Sequence, residues 1–385
     1  MIFLDAAATT PVRREVIEAM WPYLTGEFGN ASSHHTLGDS AAAALRQARE
    51  TVAAVLGCLP GEIVFTAGGT EADNLAIKGI ALARQAENPA RRRLLISAVE
   101  HPAVLESARY LARFHGFTVD IVPVDRDGEV GVADFASRLG DDVALASVMY
   151  ANNEIGTVQP LAALAAAARS ASVPIHTDAV QAAGWLPLTV ADLGVDALSL
   201  SGHKIGAPKG IGALYLRARI QAEPVLHGGG QERGSRSGTE NVAFAVALAT
   251  ALRLAEAERA TAAERVTALR DGFIAEVLDR IPGAQLTGHR TRRLPSVASF
   301  CFPGTSGESV LLELERRSVL CSSGSACAAG SDDPSAVLTA IGIAGELAQT
   351  AVRFSFGTSV TEAMLKDAAD AVVESVTELG RLQRS

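Results

Sequence analysis

Cysteine is scarce in this sequence of 385 residues, and its spacing excludes several kinds of site. The four cysteines are Cys58, Cys301, Cys321 and Cys327, and none are in C-x-x-C spacing. Four cysteines are too few for a disulfide framework in a chain of this length. A zinc or iron–sulfur site built by this chain alone is not expected either. We therefore expect free thiols and a reducing, cytoplasmic location.

Long apolar runs, clustered basic residues and lysine are also scarce. No run approaches the ~18 apolar residues that a membrane span needs, and the N-terminus lacks the pattern of a secretory signal. The net charge is -9 and the basic residues are scattered, which argues against nucleic acid as a partner. The lysines are Lys78, Lys204, Lys209 and Lys366. A site that requires a lysine therefore has few candidates.

What the chain does contain is a regular alternation of strand and helix patterns from residue 62 onward. The predicted strands are Ile63–Thr66, Leu94–Ser97, Thr118–Val122, Val143–Tyr150, Val173–Thr177, Ala197–Ser201 and Ile211–Leu216. Most are short, apolar and separated by helical segments. This rhythm predicts an α/β fold with a mostly parallel sheet covered by helices on both faces.

The pattern changes after Gly238. Two helical stretches are predicted, Glu240–Glu258 and Glu264–Arg280, followed by shorter strands and a final amphipathic helix. We therefore predict a large domain over residues 1–255 and a smaller C-terminal α+β domain over residues 256–385. The pattern leaves open whether residues 1–15 pack on the smaller domain.

One strand delivers a lysine to the rim of the predicted sheet. The apolar run Ala197–Leu200 breaks at Ser201 and Gly202, and Lys204 follows in a turn rich in glycine and proline. Open α/β folds build their ligand crevices at this rim. Desolvation there lowers the pKa of a lysine, and a neutral amine can condense with a carbonyl. Lys204 is thus the candidate for a Schiff base, and a turn lysine without a catalytic role is the alternative.

Three other strand ends carry polar residues. Gly69 and Thr70 open a helix whose free amides suit a phosphate, although Thr70 and Asp73 also resemble the capping box of an ordinary helix. His101 stands at a predicted N-cap, where a capping or surface role is the alternative. Asp178 would need a positive partner in a low-dielectric crevice. A protonated pyridine nitrogen is the partner that a pyridoxal phosphate site requires.

The later part of the chain adds a thiol, an arginine and a loop. Cys327 lies among small residues with no apolar anchor, which predicts a mobile, exposed and reactive thiol, whereas Cys321 is predicted to be packed. Alternation in the last strand turns Arg353 away from the core, to be solvated or to grip a carboxylate. The loop Gly228–Thr239 is predicted to be too polar to pack in its own core. A flexible surface loop and a second anion contact are its alternatives.

Three motifs together resemble those of the cysteine desulfurases, pyridoxal-phosphate enzymes of the class V aminotransferase group with fold type I. They are Ser201-Gly-His-Lys204, Arg236-Ser-Gly-Thr239 and Ser322-Ser-Gly-Ser-Ala-Cys327. The similarity extends from Leu4-Asp-Ala-Ala-Ala-Thr-Thr-Pro11 to Val352-Arg-Phe-Ser-Phe-Gly357. The resemblance implies conversion of L-cysteine to L-alanine, with the sulfur left as a persulfide on Cys327.

The resemblance also implies which residues hold the cofactor and the substrate. Lys204 would bind pyridoxal 5'-phosphate covalently, His101 would stack on its ring and shuttle protons, and Asp178 would pair with the pyridine nitrogen. The other implied contacts are Gln181 and Asn153 at the ring hydroxyl, Gly69, Thr70, Ser201 and His203 at the phosphate, Thr239 from the second subunit of a homodimer, and Arg353 with Asn30 at the substrate carboxylate.

The sulfur acceptor is the least defined expectation. Ala31 stands where many relatives have proline, and the chain ends at Ser385, before the longer tail with which some relatives dock a scaffold protein. An iron–sulfur scaffold is the expected acceptor, with Cys327 as a transient cluster ligand, and tRNA thiolation or another sulfur pathway is the alternative. Rival functions are a selenocysteine lyase, a small-substrate aminotransferase, or a non-catalytic thiol or iron–sulfur carrier. The carrier would need neither Lys204 nor Asp178.

Overall fold

The computed structural model describes residues 1–323 and 334–382. Their strands are β1 (Ile2–Phe3), β2 (Ile63–Thr66), β3 (Arg93–Ser97), β4 (Thr118–Val122), β5 (Val143–Ser147), β6 (Ile175–Asp178), β7 (Ala197–Ser201), β8 (Gly212–Leu216), β9 (Gln285–Leu286), β10 (Val297–Cys301), β11 (Val319–Leu320) and β12 (Ala351–Ser355).

Helices precede, separate and follow these strands. They are α1 (Arg14–Thr25), α2 (Thr36–Leu56), α3 (Gly69–Asn74), α4 (Ile80–Glu87), α5 (Pro102–His115), α6 (Val132–Arg138), α7 (Leu161–Ser170), α8 (Val190–Leu193), α9 (Val242–Arg280), α10 (Gly307–Arg316), α11 (Ala336–Ala340), α12 (Gly345–Ala348) and α13 (Glu362–Leu382). A π-helical segment, Leu75–Gly79, joins α3 to α4, and 3-10 turns lie at Pro60–Glu62, Gly202–Lys204 and Glu232–Gly234. None of the described helices is long and apolar enough to cross a membrane.

The predicted α/β sheet is confirmed. Seven strands form it in the order β2-β8-β7-β6-β5-β3-β4, and β8 runs antiparallel to both of its neighbours while the other pairs are parallel. Every residue of β5, β6 and β7 is buried, as expected for strands with helices on both faces. The carboxyl ends of these parallel strands therefore share one edge.

Helix α9 corrects one prediction. It runs without a break over 39 residues, where the sequence pattern suggested two helices. The intervening residues, Arg259–Ala263, include neither glycine nor proline, so nothing in them ends a helix. The predicted domain boundary at residue 255 falls inside this helix, and the division into two domains stays a prediction.

The C-terminal elements form a second apolar cluster beside the main sheet. Strands β12, β10 and β9 make a three-stranded antiparallel sheet, and the Phe273 ring packs against Phe354 with 5.2 Å between centroids. The N-terminus joins this cluster, because β1 pairs in parallel with β11 and Leu4 is buried within it. The first residues thus pack on the C-terminal elements, which the sequence pattern had left open.

Candidate active site

The ends of neighbouring strands bring an imidazole, an acid and a lysine to one edge of the sheet. His101 precedes α5, Asp178 is the last residue of β6, and Lys204 lies in the turn after β7. A ring nitrogen of His101 and one carboxylate oxygen from each of Asp178 and Asp73 lie within 4.8 Å of one another. Lys204 is close enough to affect the pKa of both His101 and Asp178. The predicted meeting of these side chains is therefore observed, while their roles remain proposals.

His101 occupies the predicted N-cap position. Its Nδ1 accepts a hydrogen bond from the Ala103 N–H at 3.1 Å, and Pro102 is the first helical residue. Burial lowers the pKa of His101, Asp178 opposes that shift, and Lys204 lowers the pKa further. The imidazole is thus neutral near neutral pH.

Asp178 is a buried carboxyl group that accepts a backbone hydrogen bond. Only 6% of the residue is exposed, and Oδ1 accepts a hydrogen bond from the Val180 N–H at 2.8 Å. Burial raises the pKa of Asp178, against the lowering effects of His101, the Val180 N–H and Lys204. A positive partner placed against this carboxylate would stabilise its charge.

The Lys204 amine is held on the N-terminal segment. Its Nζ donates hydrogen bonds to the carbonyl oxygens of Ala7 and Ala8, the second at 2.8 Å. Gln181 Nε2 donates to the same Ala7 oxygen at 3.0 Å. Lys204 and Gln181 also line a cavity of about 680 Å³, whose apolar wall includes Trp185. The Lys204 amine and the Gln181 side-chain amide therefore both donate to the Ala7 carbonyl oxygen.

The helix that follows β2 begins tightly packed against the lysine turn. A Cβ atom on Gly69 would lie 2.8 Å from Val180 Cγ2 and 3.3 Å from Ser201 Cβ, so this approach requires glycine. Thr70 is exposed and lines a cavity of about 630 Å³ with His101. These contacts place the start of α3 beside the end of β7, as a phosphate site between them would need.

The predicted capping box at this helix is wrong. Helix α3 begins at Gly69, and no side chain caps it from position 68. Glu71, rather than Thr70, makes the local contact, because its carboxylate accepts the Ala67 N–H at 2.9 Å. Asp73 is 1% exposed and faces the sheet, so its carboxyl group is available to the site instead of to the backbone.

His203 and Ser201 flank the same turn. His203 Nδ1 lies 3.1 Å from Thr9 Oγ1. Burial lowers the pKa of His203 to about 4, with Lys204 and Lys209 acting in the same direction. Ser201 is 3% exposed at the last position of β7. A neutral imidazole and a hydroxyl can both serve as hydrogen-bond donors to a phosphate.

Arg353 is buried, which excludes the solvated alternative. It is 2% exposed, and Nη2 bonds to Asp5 Oδ1 at 2.9 Å while Nη1 donates to the Asn153 carbonyl oxygen at 2.9 Å. Its Nε is buried without a hydrogen-bond partner within residues 1–323 and 334–382. The guanidinium thus joins strand β12 to the N-terminal segment and to the loop after β5.

Two predicted contacts lie at the surface. Asn30 is exposed in the loop between α1 and α2, where its side chain accepts the Ser32 N–H at 2.9 Å. Thr239 is exposed just before α9. The structure places neither in a described contact with Lys204 or Asp178 of its own chain. A role for Thr239 in a second subunit remains a prediction.

The loop Gly228–Thr239 is mostly exposed, as predicted, but two of its charged residues anchor it to its own chain. Glu232 is 5% exposed and forms a bidentate ion pair with Arg49, both N–O distances being 2.7 Å. Arg236 pairs with Glu71 at 2.7 Å. The sequence pattern did not predict these anchors, because the buried counter-charge of Glu232 lies on α2, outside the loop.

Cys321 of the C-terminal motif lies within the described residues, and Cys327 lies outside them. Cys321 packs against the second apolar cluster, and burial raises the pKa of its thiol to about 12, with Asp5 adding to the rise and Arg353 opposing it. The prediction that Cys321 is packed is confirmed by its contacts with this cluster, and its lack of reactivity stays a prediction.

The sequence pattern missed three buried groups behind the site: Asp73, Glu100 and His176. Glu100 is 3% exposed, and Oε1 accepts the Met149 N–H at 2.6 Å. His176 is fully buried, with Ser147 Oγ at 2.9 Å from Nδ1 and Ser199 Oγ at 3.0 Å from Nε2. A signal existed for His176, because it stands two residues before Asp178 in one strand and so shares its face.

Comparison with known proteins agrees with this geometry. The family model "Aminotransferase class-V" matches residues 2–367, and the chain belongs to that family. It is 45% identical over 377 residues to the protein named cysteine desulfurase IscS of Dictyoglomus turgidum, covering 98% of this chain and 94% of the relative. It is 44% identical to an IscS-like cysteine desulfurase of Mycobacterium tuberculosis, covering 99% and 98% of the two chains.

The solved structure of a NifS-like protein superposes with a TM-score of 0.90 at 34% identity, covering 98% of this chain and 99% of that one. Within the class V family, the chain belongs with the cysteine desulfurases. These are pyridoxal-phosphate-dependent enzymes, and the fold predicted from the resemblance is confirmed.

Proposed function

We propose that this chain converts L-cysteine to L-alanine with pyridoxal 5'-phosphate bound at Lys204, leaving the sulfur as a persulfide on Cys327. The observation that carries the proposal is the meeting of His101, Asp178 and Lys204 at the carboxyl edge of the sheet. A non-catalytic thiol carrier would not need a buried carboxyl group and an amine arranged in this way.

The residues present fit the cofactor. Asp178 is an acid whose pKa is raised by burial, and a protonated pyridine nitrogen would stabilise its charge. Gly69 lets the start of α3 lie close to the end of β7, since a side chain there would collide with Val180. A phosphate would bind at this start of the helix. When bound, the pyridoxal ring stores the electron pair released from the substrate α-carbon.

The protein groups would then bind, orient and move protons. Lys204 Nζ would take the α-proton of the substrate. The neutral imidazole of His101 would stack on the ring and pass a proton to or from the reacting atoms. Arg353 would hold the substrate carboxylate through its guanidinium, with Asn30 as a second contact.

The sulfur transfer would join a protein thiolate to the substrate sulfur while the cofactor is bound. Cys327 Sγ would attack the substrate sulfur, so that an S–S bond forms as the substrate C–S bond breaks. The electron pair of the C–S bond stays with carbon and takes up a proton, which yields alanine. Atoms balance without another oxidant, because a thiol and cysteine become a persulfide and alanine.

We also propose a homodimer in which Thr239 reaches the phosphate of the neighbouring subunit, with Gln181, Asn153, Gly69, Thr70, Ser201 and His203 as the remaining cofactor contacts. Arg236 and Glu232 fix the Thr239 loop to α3 and α2 of its own chain, which would hold it ready for a partner. The acceptor of the persulfide would be an iron–sulfur scaffold protein.

The test compares variants of the two cysteines of the C-terminal motif, each of which removes one thiol. Purified protein is incubated with L-cysteine, alanine is quantified, and the persulfide is located by mass spectrometry. Cys327→Ser should bind the cofactor and make almost no alanine. Cys321→Ala, the matched control, should keep turnover, because burial holds the pKa of that thiol at about 12. A persulfide on Cys321, or full turnover by Cys327→Ser, would overturn the proposal.

A further inference from the structure

A second buried acid lies beside Asp178. Asp73, on α3, is 1% exposed, and one of its carboxyl oxygens is within 4.8 Å of Asp178 and His101 atoms. In the part of the chain that the structure describes, Asp73 Oδ1 has no hydrogen-bond partner. A buried carboxylate in this position would be costly unless something neutralised it.

The nearest basic group cannot neutralise Asp73. His176 Nε2 is 3.6 Å from Asp73 Oδ1, but its ring is enclosed by the Ser147 and Ser199 hydroxyls. Burial lowers the pKa of His176 to about 3, so the imidazole is neutral. It can share a hydrogen bond with an acid but cannot supply a positive charge.

The hydrogen bonds around the two acids favour ionisation of Asp178 rather than of Asp73. Asp178 Oδ1 accepts the Val180 N–H at 2.8 Å, whereas Asp73 Oδ1 accepts no hydrogen bond within the described residues. Burial and the charge of Asp178 raise the pKa of Asp73, the Ser199 hydroxyl lowers it, and Glu100 raises it again. Two like charges this close do not both form in a low-dielectric pocket, so a single proton is unequally shared.

We propose that Asp73 is a positioning residue that stays in its neutral acid form beside His176, so that Asp178 alone carries the negative charge toward the cofactor. This inference rests on the proposed function, which places the pyridine nitrogen against Asp178. As a consequence, the pyridine nitrogen would pair with the carboxylate of Asp178 alone, whose position is fixed by the Val180 N–H, and not with a negative charge shared between two acids.

Asparagine has the shape of a neutral aspartic acid, so Asp73→Asn separates the two charge states. The holoprotein is examined without substrate, by infrared spectroscopy of carboxylic-acid C=O stretching and by the pH dependence of the visible absorbance of the lysine-bound cofactor. Asp73→Asn should remove one acid band and leave the absorbance midpoint in place. If Asp73 were ionised, the variant would remove no acid band and would lower the midpoint by about 0.5 unit or more, because a nearby negative charge is lost.

Two further variants complete the test. Glu100→Gln, the matched control, should remove a different acid band, and loss of the same band in both variants would overturn the assignment to Asp73. Asp73→Ala should weaken cofactor binding by about tenfold, whereas Asp73→Asn should stay within about threefold of the unaltered protein. Equal cofactor affinity in all three proteins would overturn the positioning role. If Asp73→Asn does not fold, Asp73→Ser replaces it in the infrared measurement with the same expected loss.

Failure of this inference is distinguishable from failure of the proposed function. The unaltered protein is assayed first for cofactor absorbance and for alanine formed from L-cysteine. If it shows neither, the proposed function fails. If it shows both and Asp73→Asn leaves every acid band in place, only the role of Asp73 is refuted.

Discussion

Glu232 provides a sharp test of what anchors the loop that carries Thr239. The carboxylate is enclosed, accepts two hydrogen bonds from Arg49 and accepts the Phe65 N–H at 3.1 Å. The Arg49 guanidinium also lies 4.8 Å from the centre of the Phe65 ring. Glu232→Gln keeps the shape and removes the charge. The change therefore leaves a buried guanidinium without its counter-charge.

The expected cost follows from that loss. Breaking one side of a buried ion pair destabilises a protein by about 3–5 kcal/mol. At ~2.1 cal/mol/K of unfolding entropy per residue, a chain of this length has an unfolding entropy of about 0.8 kcal/mol/K, so Tm should fall by roughly 4–6 °C. Calorimetry of the purified variant measures this shift.

Two comparisons decide the interpretation. Glu18→Gln breaks the exposed pair with Arg14, whose side chains are 88% and 60% exposed for Arg14 and Glu18 respectively. It should cost less than about 0.5 kcal/mol. The double variant Arg49→Met with Glu232→Met removes both charges and should recover part of the lost Tm, because apolar replacements of a buried pair are tolerated while the Phe65 N–H loses its acceptor. A Glu232→Gln protein no less stable than Glu18→Gln would refute the reasoning.

Three further outcomes are expected. Lys204→Ala should fold but lack the visible absorbance of lysine-bound cofactor, and cofactor fixed by borohydride at another lysine would contradict the assignment. Asp178→Ala should slow exchange of the substrate α-hydrogen by at least about 10- to 150-fold, as loss of a charge-assisted hydrogen bond implies; near-normal alanine production would count against its role. Burial raises the pKa of Glu100 to about 8, so its proton is held more tightly in the folded state. In cofactor-free protein, Glu100 should therefore contribute stability that is lost as pH rises from about 4.5 to about 8, and the Tm of Glu100→Gln relative to the unaltered protein should rise over that range in a Tm–pH series.

The main sheet and much of its active edge could be predicted from local sequence patterns. Short apolar runs separated by helical patterns predicted the strands of the main sheet, because strands buried on both faces are continuously apolar. His101 was placed at its N-cap because proline follows it, and proline suits the first turn of a helix. The order of polar residues after successive strands also brought Asp178 and Lys204 to the same edge, since parallel strands share their carboxyl ends.

Which polar groups face one another could not be predicted, because it depends on how distant elements pack together. Asp73 fits a capping pattern in the sequence, yet helix α3 turns it onto His176 and Asp178 because the backbone starts the helix at Gly69. Arg353 could have been solvated, and its burial depends on Asp5, which lies 348 positions earlier. Glu232 stands in a polar loop and is buried because α2 supplies Arg49. Local patterns report the period of burial along one element, whereas pairing of buried charges depends on which distant elements meet.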